Sequence, residues 1–172
     1  EIVYLPNLSD CGYDTWQPSL KKIGKKLKLR EVTLEEIYEI ENLIFISLEF
    51  EKIIKTDKFK SKNLYNIHFS KLPAYRGMYT SSLPILHGEK ETGVTLHRID
   101  NGIDTGDIID QMVFPIDDDD TARDLYFKYN NNAKLLLLNN INNLVNCDVI
   151  SKRQEKNYAS YFSKNYINFK DI

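Results

Sequence analysis

Asn66 and His68 lie two positions apart in the run Leu64-Tyr65-Asn66-Ile67-His68, and Asp104 follows inside Gly102-Ile103-Asp104-Thr105-Gly106-Asp107. Alternate residues of a strand leave the same face, so the amide and the imidazole point the same way. An amide, an imidazole and a carboxylate are the parts needed to move an acyl group between two nitrogens. The amide N–H donates to the oxyanion that develops when an amine attacks the acyl carbon, and losing one such donor commonly costs about 3 kcal/mol of transition-state stabilisation. Imidazole titrates near neutrality and can take the amine proton and return it to the leaving nitrogen. A carboxylate beside it raises its pKa and fixes its orientation, which is the part expected of Asp104.

Each residue also has a plainer reading. Asn66 can end a strand, His68 can be a satisfied half-buried histidine, and Asp before Thr-Gly is an ordinary turn residue. Their joint occurrence around a Leu72-Pro73-Ala74-Tyr75-Arg76-Gly77 loop favours the chemical reading. Rival chemistries fit less well. Ser70, His68 and Asp104 form no hydrolase triad, because Ser70 and His68 share a strand end and no Gly-x-Ser-x-Gly elbow is present. Asp100, Asp104 and Asp107 make no calcium loop, since Gly102 is misplaced and no bidentate Glu closes it. His87 and His97 lack ligand-spaced partners, so no metal is expected.

The elements that must position these residues read as α/β. Strands are expected at 2–5, 43–48 and 64–68, with Leu43 to Leu48 as a central strand covered on both faces. A hairpin is expected from 93–99 and 107–113. Helices are expected at 14–27, with Trp16, Leu20, Ile23 and Leu27 on the buried face, at 34–40 behind a Thr33/Glu36 capping box, at 50–56, and at 79–88. A long helix over 121–146 enters through Asp120-Thr121, with Asp124 in its first turn and Leu135, Leu138, Ile141 and Val145 as its core stripe. From Gln154 onward the chain reads as an extended aromatic-rich tail.

The chain has 172 residues, net charge −2 and two cysteines, Cys11 and Cys147. That length suits one domain with a real core. The charge argues against a nucleic-acid partner, and the basic run Lys21, Lys22, Lys25, Lys26 and Lys28 reads as a solvated helix face. The cysteines form no disulfide framework, which makes a reducing cytoplasm the expected location. No apolar stretch is long enough for a membrane span, and no signal peptide is visible.

From Asn63 to Gln111 the sequence resembles the folate-dependent formyltransferases. The match is carried by Asn66-Ile67-His68-Phe69-Ser70-Lys71-Leu72-Pro73-Ala74-Tyr75-Arg76-Gly77, by Glu91-Thr92-Gly93-Val94-Thr95-Leu96-His97, and by Gly102-Ile103-Asp104-Thr105-Gly106-Asp107-Ile108-Ile109. The resemblance implies a Rossmann-like formyltransferase fold, a mostly parallel sheet flanked by helices. It implies Asn66, His68 and Asp104 as the catalytic trio and N10-formyltetrahydrofolate as co-substrate. The folate would be held by Lys52, Ile53, Ile54, Ile99, Asp100 and Gly102, and Leu72-Pro73 would be a cis bond.

Among such enzymes, His68-Phe69-Ser70, Arg76-Gly77-Met78-Tyr79-Thr80 and Ile109-Asp110-Gln111 are most similar to the sugar N-formyltransferases. That implies a nucleotide-linked amino sugar as acceptor, bound near Tyr75, Arg76, Gly77, Met78 and Tyr79. Tyr158, Tyr161 and Phe162 would pack on a base or sugar, or else anchor the tail. The rivals are a methionyl-tRNA formyltransferase-like enzyme and a catalytically silent folate- or sugar-binding domain. A catalytic domain over 1–150 is expected, shortened at its N-terminus, with 151–172 as a tail packed on it. No nucleic acid and no membrane are expected as partners, and a homodimer is left open.

Overall fold

The structure is a computed structural model that describes residues 1–167. The last residues of the expected tail, 168–172, lie outside the described residues. The chain divides into two compact units, one of Glu1–Leu43 with Glu49–Lys62 and one of Ile44–Leu48 with Asn63 onward.

In the first unit, β1 (Val3–Tyr4), α1 (Leu20–Lys26), β2 (Arg30–Glu31) and α2 (Leu34–Tyr38) follow one another. β1 and β2 pair in parallel, Val3 opposite Arg30. α1 is half the expected helix. Residues before a proline are pushed out of the helical region, so Pro18 blocks entry from Asp14, and Ser19 caps the helix by accepting from the Lys22 amide. Trp16, Leu20, Ile23 and Leu27 are exposed, which corrects the expected buried face. The helix packs instead through Gly24, where a Cβ would fall 2.4 Å from the Tyr4 ring. α2 opens with the Thr33/Glu36 capping box expected of it. The stretch 50–56 is not helical; a single 3₁₀ turn forms at Thr56–Lys58.

The second unit holds β3 (Ile44–Leu48), β4 (Asn63–His68), β5 (Arg76–Gly77), α3 (Leu83–Leu86), β6 (Glu91–Arg98), β7 (Ile108–Pro115), α4 (Ala122–Val145) and β8 (Tyr161–Phe162). Its main sheet has the order β3-β4-β6-β7. β3 and β4 are parallel, while β4–β6 and β6–β7 are antiparallel. This sheet is therefore mixed rather than mostly parallel, because the β6–β7 hairpin fixes its own strands antiparallel. β3 ends the strand order, so it is an edge rather than a central strand of this sheet; Ile44 to Ser47 are buried or half-buried, and only Leu48 at its end is exposed. α3 is shorter than the expected 79–88 helix, since its entry at Tyr79 adopts a positive φ of 63°.

α4 spans nearly the expected range, capped by Thr121 and Asp124. Its buried stripe is Leu125, Tyr129, Ala133, Leu136, Asn140 and Leu144. Leu135, Leu138 and Val145 are exposed, which corrects the expected stripe. Tyr129 is the main tie between α4 and the sheet. Its ring stacks on Phe69 at 5.0 Å and meets Phe114 edge-on at 5.3 Å. Its hydroxyl donates to the Thr80 carbonyl at 3.1 Å and accepts from Thr92 Oγ1 at 2.7 Å. Since Phe69 follows His68 directly, this packing fixes the end of β4. Among the described residues no helix is long and apolar enough to cross a membrane.

Candidate active site

β4 delivers Asn66 and His68 from one face, as the alternation requires. Asp104 comes from the loop between β6 and β7 and is itself left-handed, with φ of 54°. Aspartate tolerates that conformation better than most residues. Gly106 lets the loop turn back on β6, since a Cβ there would lie 1.8 Å from the Arg98 carbonyl oxygen. Asp100 Oδ1 closes the loop internally by accepting from the Gly102 amide at 3.0 Å and Thr105 Oγ1 at 2.6 Å.

The three side chains meet. Asp104 Oδ2 lies 3.5 Å from His68 Nδ1, and Asp104 Oδ1 accepts from Asn66 Nδ2 at 3.4 Å. His68 Nε2 is 2.8 Å from the Tyr75 carbonyl. A carbonyl only accepts, so Nε2 carries the hydrogen and the lone pair of the neutral ring sits on Nδ1. Nδ1 is thus the basic nitrogen, and it faces Asp104. Burial lowers the His68 pKa below its ordinary value, and nearby His97 adds to this. Asp104 and the Tyr75 carbonyl oppose the shift without cancelling it. The imidazole is therefore neutral at neutral pH and free to accept a proton. Burial of Asp104 acts to raise its pKa. His97, the His68 charge and the Gly77 amide outweigh that and hold it down to about 2. A lasting negative charge beside Nδ1 stabilises the proton once His68 has taken it.

His97 is a site neighbour that the sequence reading passed over. It sits on β6 directly opposite Asn66, with Nε2 3.1 Å from Asn66 Nδ2 and 3.6 Å from Asp104 Oδ1. Its Nδ1 donates to the Arg98 carbonyl at 2.8 Å, leaving Nε2 to accept from the Asn66 amide. Only the β4–β6 register brings His97 to Asn66, and one strand read alone does not contain that register.

A buried polar hub shapes the turn after His68. Thr95 Oγ1 donates to the Ser70 carbonyl at 2.7 Å and accepts from the Leu72 amide at 3.1 Å and Gln111 Nε2 at 2.8 Å. The Leu72-Pro73 bond is cis, as the resemblance implies.

The other expected residues divide into groups. Ile99, Asp100 and Gly102 lie on the Asp104 loop, with Ile99 anchored by its amide to the Leu64 carbonyl at 2.8 Å. Lys52, Ile53 and Ile54 belong to the first unit. There Ile53 is 70% exposed and suits an open apolar wall, whereas Ile54 is buried, so its side chain is core. Of the residues expected to bind the acceptor, the Gly77 amide donates to Asp104 Oδ2 at 2.9 Å, and Met78 is exposed. The polar tips of the remaining three are engaged within the protein. Tyr75 Oη bonds Glu89 at 2.7 Å, Arg76 grips Gln154, and Tyr79 Oη donates to the Lys164 carbonyl at 2.6 Å. Phe162 anchors the tail by stacking on Tyr75 at 5.5 Å, while Tyr158 and Tyr161 are exposed.

The set has the groups that acyl transfer to nitrogen needs: an amide N–H, a neutral imidazole whose lone pair faces the carboxylate, and a fixed carboxylate. Among the described residues no group of His, Cys, Asp and Glu is arranged to hold a metal.

The backbone superposes closely on solved proteins. WlaRD, a sugar 3N-formyl transferase solved in the presence of dTDP and 5-N-formyl-THF, is 54% identical, with a TM-score of 0.94 over 96% of this chain. The N-formyltransferase of Helicobacter canadensis, solved in complex with folinic acid and dTDP-3-aminofucose, is 51% identical, with a TM-score of 0.93 over 95% of this chain. This chain spans 61% of the length of each. The bifunctional polymyxin resistance protein ArnA of Wigglesworthia glossinidia brevipalpis is 35% identical over 72% of this chain, which spans 19% of that protein. Residues 25–141, which include Asn66, His68, His97 and Asp104, match the formyl transferase family model. The chain therefore belongs to the formyl transferase family.

Proposed function

We propose that the chain is the catalytic part of a sugar N-formyltransferase. It moves a formyl group from N10-formyltetrahydrofolate to the amine of a nucleotide-linked amino sugar for surface glycan biosynthesis. The observation that carries this reading is the meeting of Asn66 and His68 Nδ1 at the two oxygens of the Asp104 carboxylate. Asn66, whose two amide hydrogens rest on His97 Nε2 and Asp104 Oδ1 in the free site, turns the one on Asp104 to the oxygen of the attacked formyl carbon. His68 Nδ1 takes the proton that the amine gives up as its nitrogen bonds that carbon, and returns it to N10 as the carbon–N10 bond breaks. Asp104 steadies the imidazolium between the two transfers.

Likeness to two enzymes described with dTDP and with dTDP-3-aminofucose supports a dTDP-linked 3-amino sugar as acceptor. On the Asp104 loop, the folate would lie against Ile99–Gly102. We assign residues 1–150 to the catalytic domain and the segment after it to a docked tail. Two free, exposed cysteines support a cytoplasmic location.

The test is a screen of dTDP- and UDP-linked 3-amino and 4-amino sugars with N10-formyltetrahydrofolate, followed by mass spectrometry. A formamide on the dTDP-3-amino sugars supports the reading. Folate binding by calorimetry without turnover on any acceptor points to a silent binding domain instead.

A further inference from the structure

We infer that Gln154, which lies outside every motif of the trio, is a positioning residue that sets Asp104. The inference rests on the catalytic reading above. Gln154 uses its whole amide. Its Nε2 donates to the backbone carbonyls of Asp104 at 2.9 Å and Gly106 at 2.7 Å. Its Oε1 accepts from Arg76 Nε at 3.1 Å and Nη2 at 2.6 Å. One side chain thus joins the Asp104 loop, the β5 segment and the start of the tail.

The loop has reason to need a clasp. Asp104 holds a left-handed φ of 54°, a conformation that carries a cost and persists only where surroundings enforce it. The Gln154 donors grip the carbonyls of Asp104 and of the glycine that turns the loop onto β6. Neighbouring contacts keep Gln154 in place: Ile108 and Lys152 exchange backbone hydrogen bonds of 2.8 Å each way just before it. Beyond it, β8 runs parallel to β5 with Arg76 opposite Tyr161. Arg76 therefore acts through Gln154, as a brace on the tail. On the other side of the clasp, the Gly77 amide donates to Asp104 Oδ2 at 2.9 Å. The carboxylate is thus held from β5 at its side chain and from the tail at its backbone.

Gln154→Glu is the sharpest variant. The carboxylate keeps an acceptor for Arg76 but removes both donors from the loop carbonyls. Gln154→Ala removes both halves. Two readouts separate positioning from general stability. The first is amide hydrogen exchange on the full chain without ligand. The Gly77 amide reports the Asp104 carboxylate, whereas the Met78 amide, bonded to the Phe162 carbonyl at 2.9 Å, reports tail docking. In Gln154→Glu, Gly77 protection should fall about tenfold or more while Met78 stays within about twofold. The second is steady-state kinetics. kcat should fall about tenfold or more with the folate KM little changed, because a small displacement of a catalytic group acts on the chemical step.

The proposal is overturned if Gly77 exchanges as freely as an open loop in the wild type. It is also overturned if Gly77 and Met78 lose protection together in Gln154→Glu, or if exchange and kcat are both unchanged. Absence of formyl transfer by the wild type would overturn the catalytic reading alone, since the exchange result stands without substrate.

Discussion

Asn66 and His97 face each other across the antiparallel register of β4 and β6, with Asn66 Nδ2 3.1 Å from His97 Nε2. The imidazole is fixed as an acceptor by its own donation to the Arg98 carbonyl. It therefore takes one amide hydrogen of Asn66 and directs the other at Asp104 Oδ1. His97→Leu keeps bulk but leaves both the Asn66 amide and the Arg98 carbonyl without this partner. The expected cost is about 1–3 kcal/mol in stability, read from urea unfolding midpoints. kcat should also fall, because the amide is no longer aimed. His97→Gln, which can still present an acceptor, should recover part of both losses. Equal stability of His97→Leu and wild type rules this arrangement out.

The roles within the trio separate by kinetics. His68→Ala removes the basic nitrogen and should nearly abolish turnover. Asn66→Ala removes one oxyanion donor, for an expected loss of roughly 10²–10³ in kcat. Its effect on folate affinity should be far smaller, because the donor is used chiefly in the transition state. Rapid-quench turnover beside calorimetric folate binding makes the comparison. A variant that loses folate binding and retains kcat contradicts the assignment.

Much of the arrangement of this candidate site was legible in the sequence because alternation along a short strand settles which side chains share a face. Asn66 and His68 needed no tertiary information. Asp104 needed only a loop able to turn back, which Gly102 and Gly106 announce. His97 and Gln154 were not legible, because each acquires its role through a pairing between distant segments, His97 through the β4–β6 register and Gln154 through the docking of the tail. The core stripe of α4 was misjudged for a different reason. Leu135 to Leu138 are four consecutive leucines, so apolar residues point in nearly every direction and periodicity cannot choose among them. Tertiary packing chose Leu136, in line with Tyr129, Ala133 and Leu144. Around α1, an exposed apolar face arose because Gly24 lets the helix backbone lie on Tyr4, a contact that hydrophobic patterning does not encode.

Acid should lower the stability of the chain over two pH ranges. The folded-state pKa of His68 is below its unfolded value of about 6.5, so the folded protein holds fewer protons in that range. Its contribution to stability is present above about pH 6.5 and is lost as pH falls through the lowered folded value. Asp104, held at about 2 against about 3.9 unfolded, keeps its contribution to lower pH and loses it between about pH 4 and 2. His68→Gln keeps a donor for the Tyr75 carbonyl and removes the upper titration. Urea midpoints between pH 7.5 and pH 5 should therefore decline less steeply in His68→Gln than in the wild type. Parallel declines assign the upper range to another group.

Gly77→Ala tests the β5–β8 pairing beside Asp104. Gly77 has φ of +88°, and a Cβ would sit 2.3 Å from the Phe162 carbonyl oxygen. Neither the conformation nor the space admits alanine, and the obstructing atom is backbone, which cannot rotate aside. The strand pair must open or shift, with an expected stability loss of about 1–3 kcal/mol. Separating β8 from β5 also exposes the residues around Phe162, so limited proteolysis should cut near 160–166 faster than in the wild type. The same displacement draws the Gly77 amide away from Asp104 Oδ2, and kcat should fall with it. Wild-type proteolysis and wild-type kcat in this variant together refute a role for the tail in framing the site.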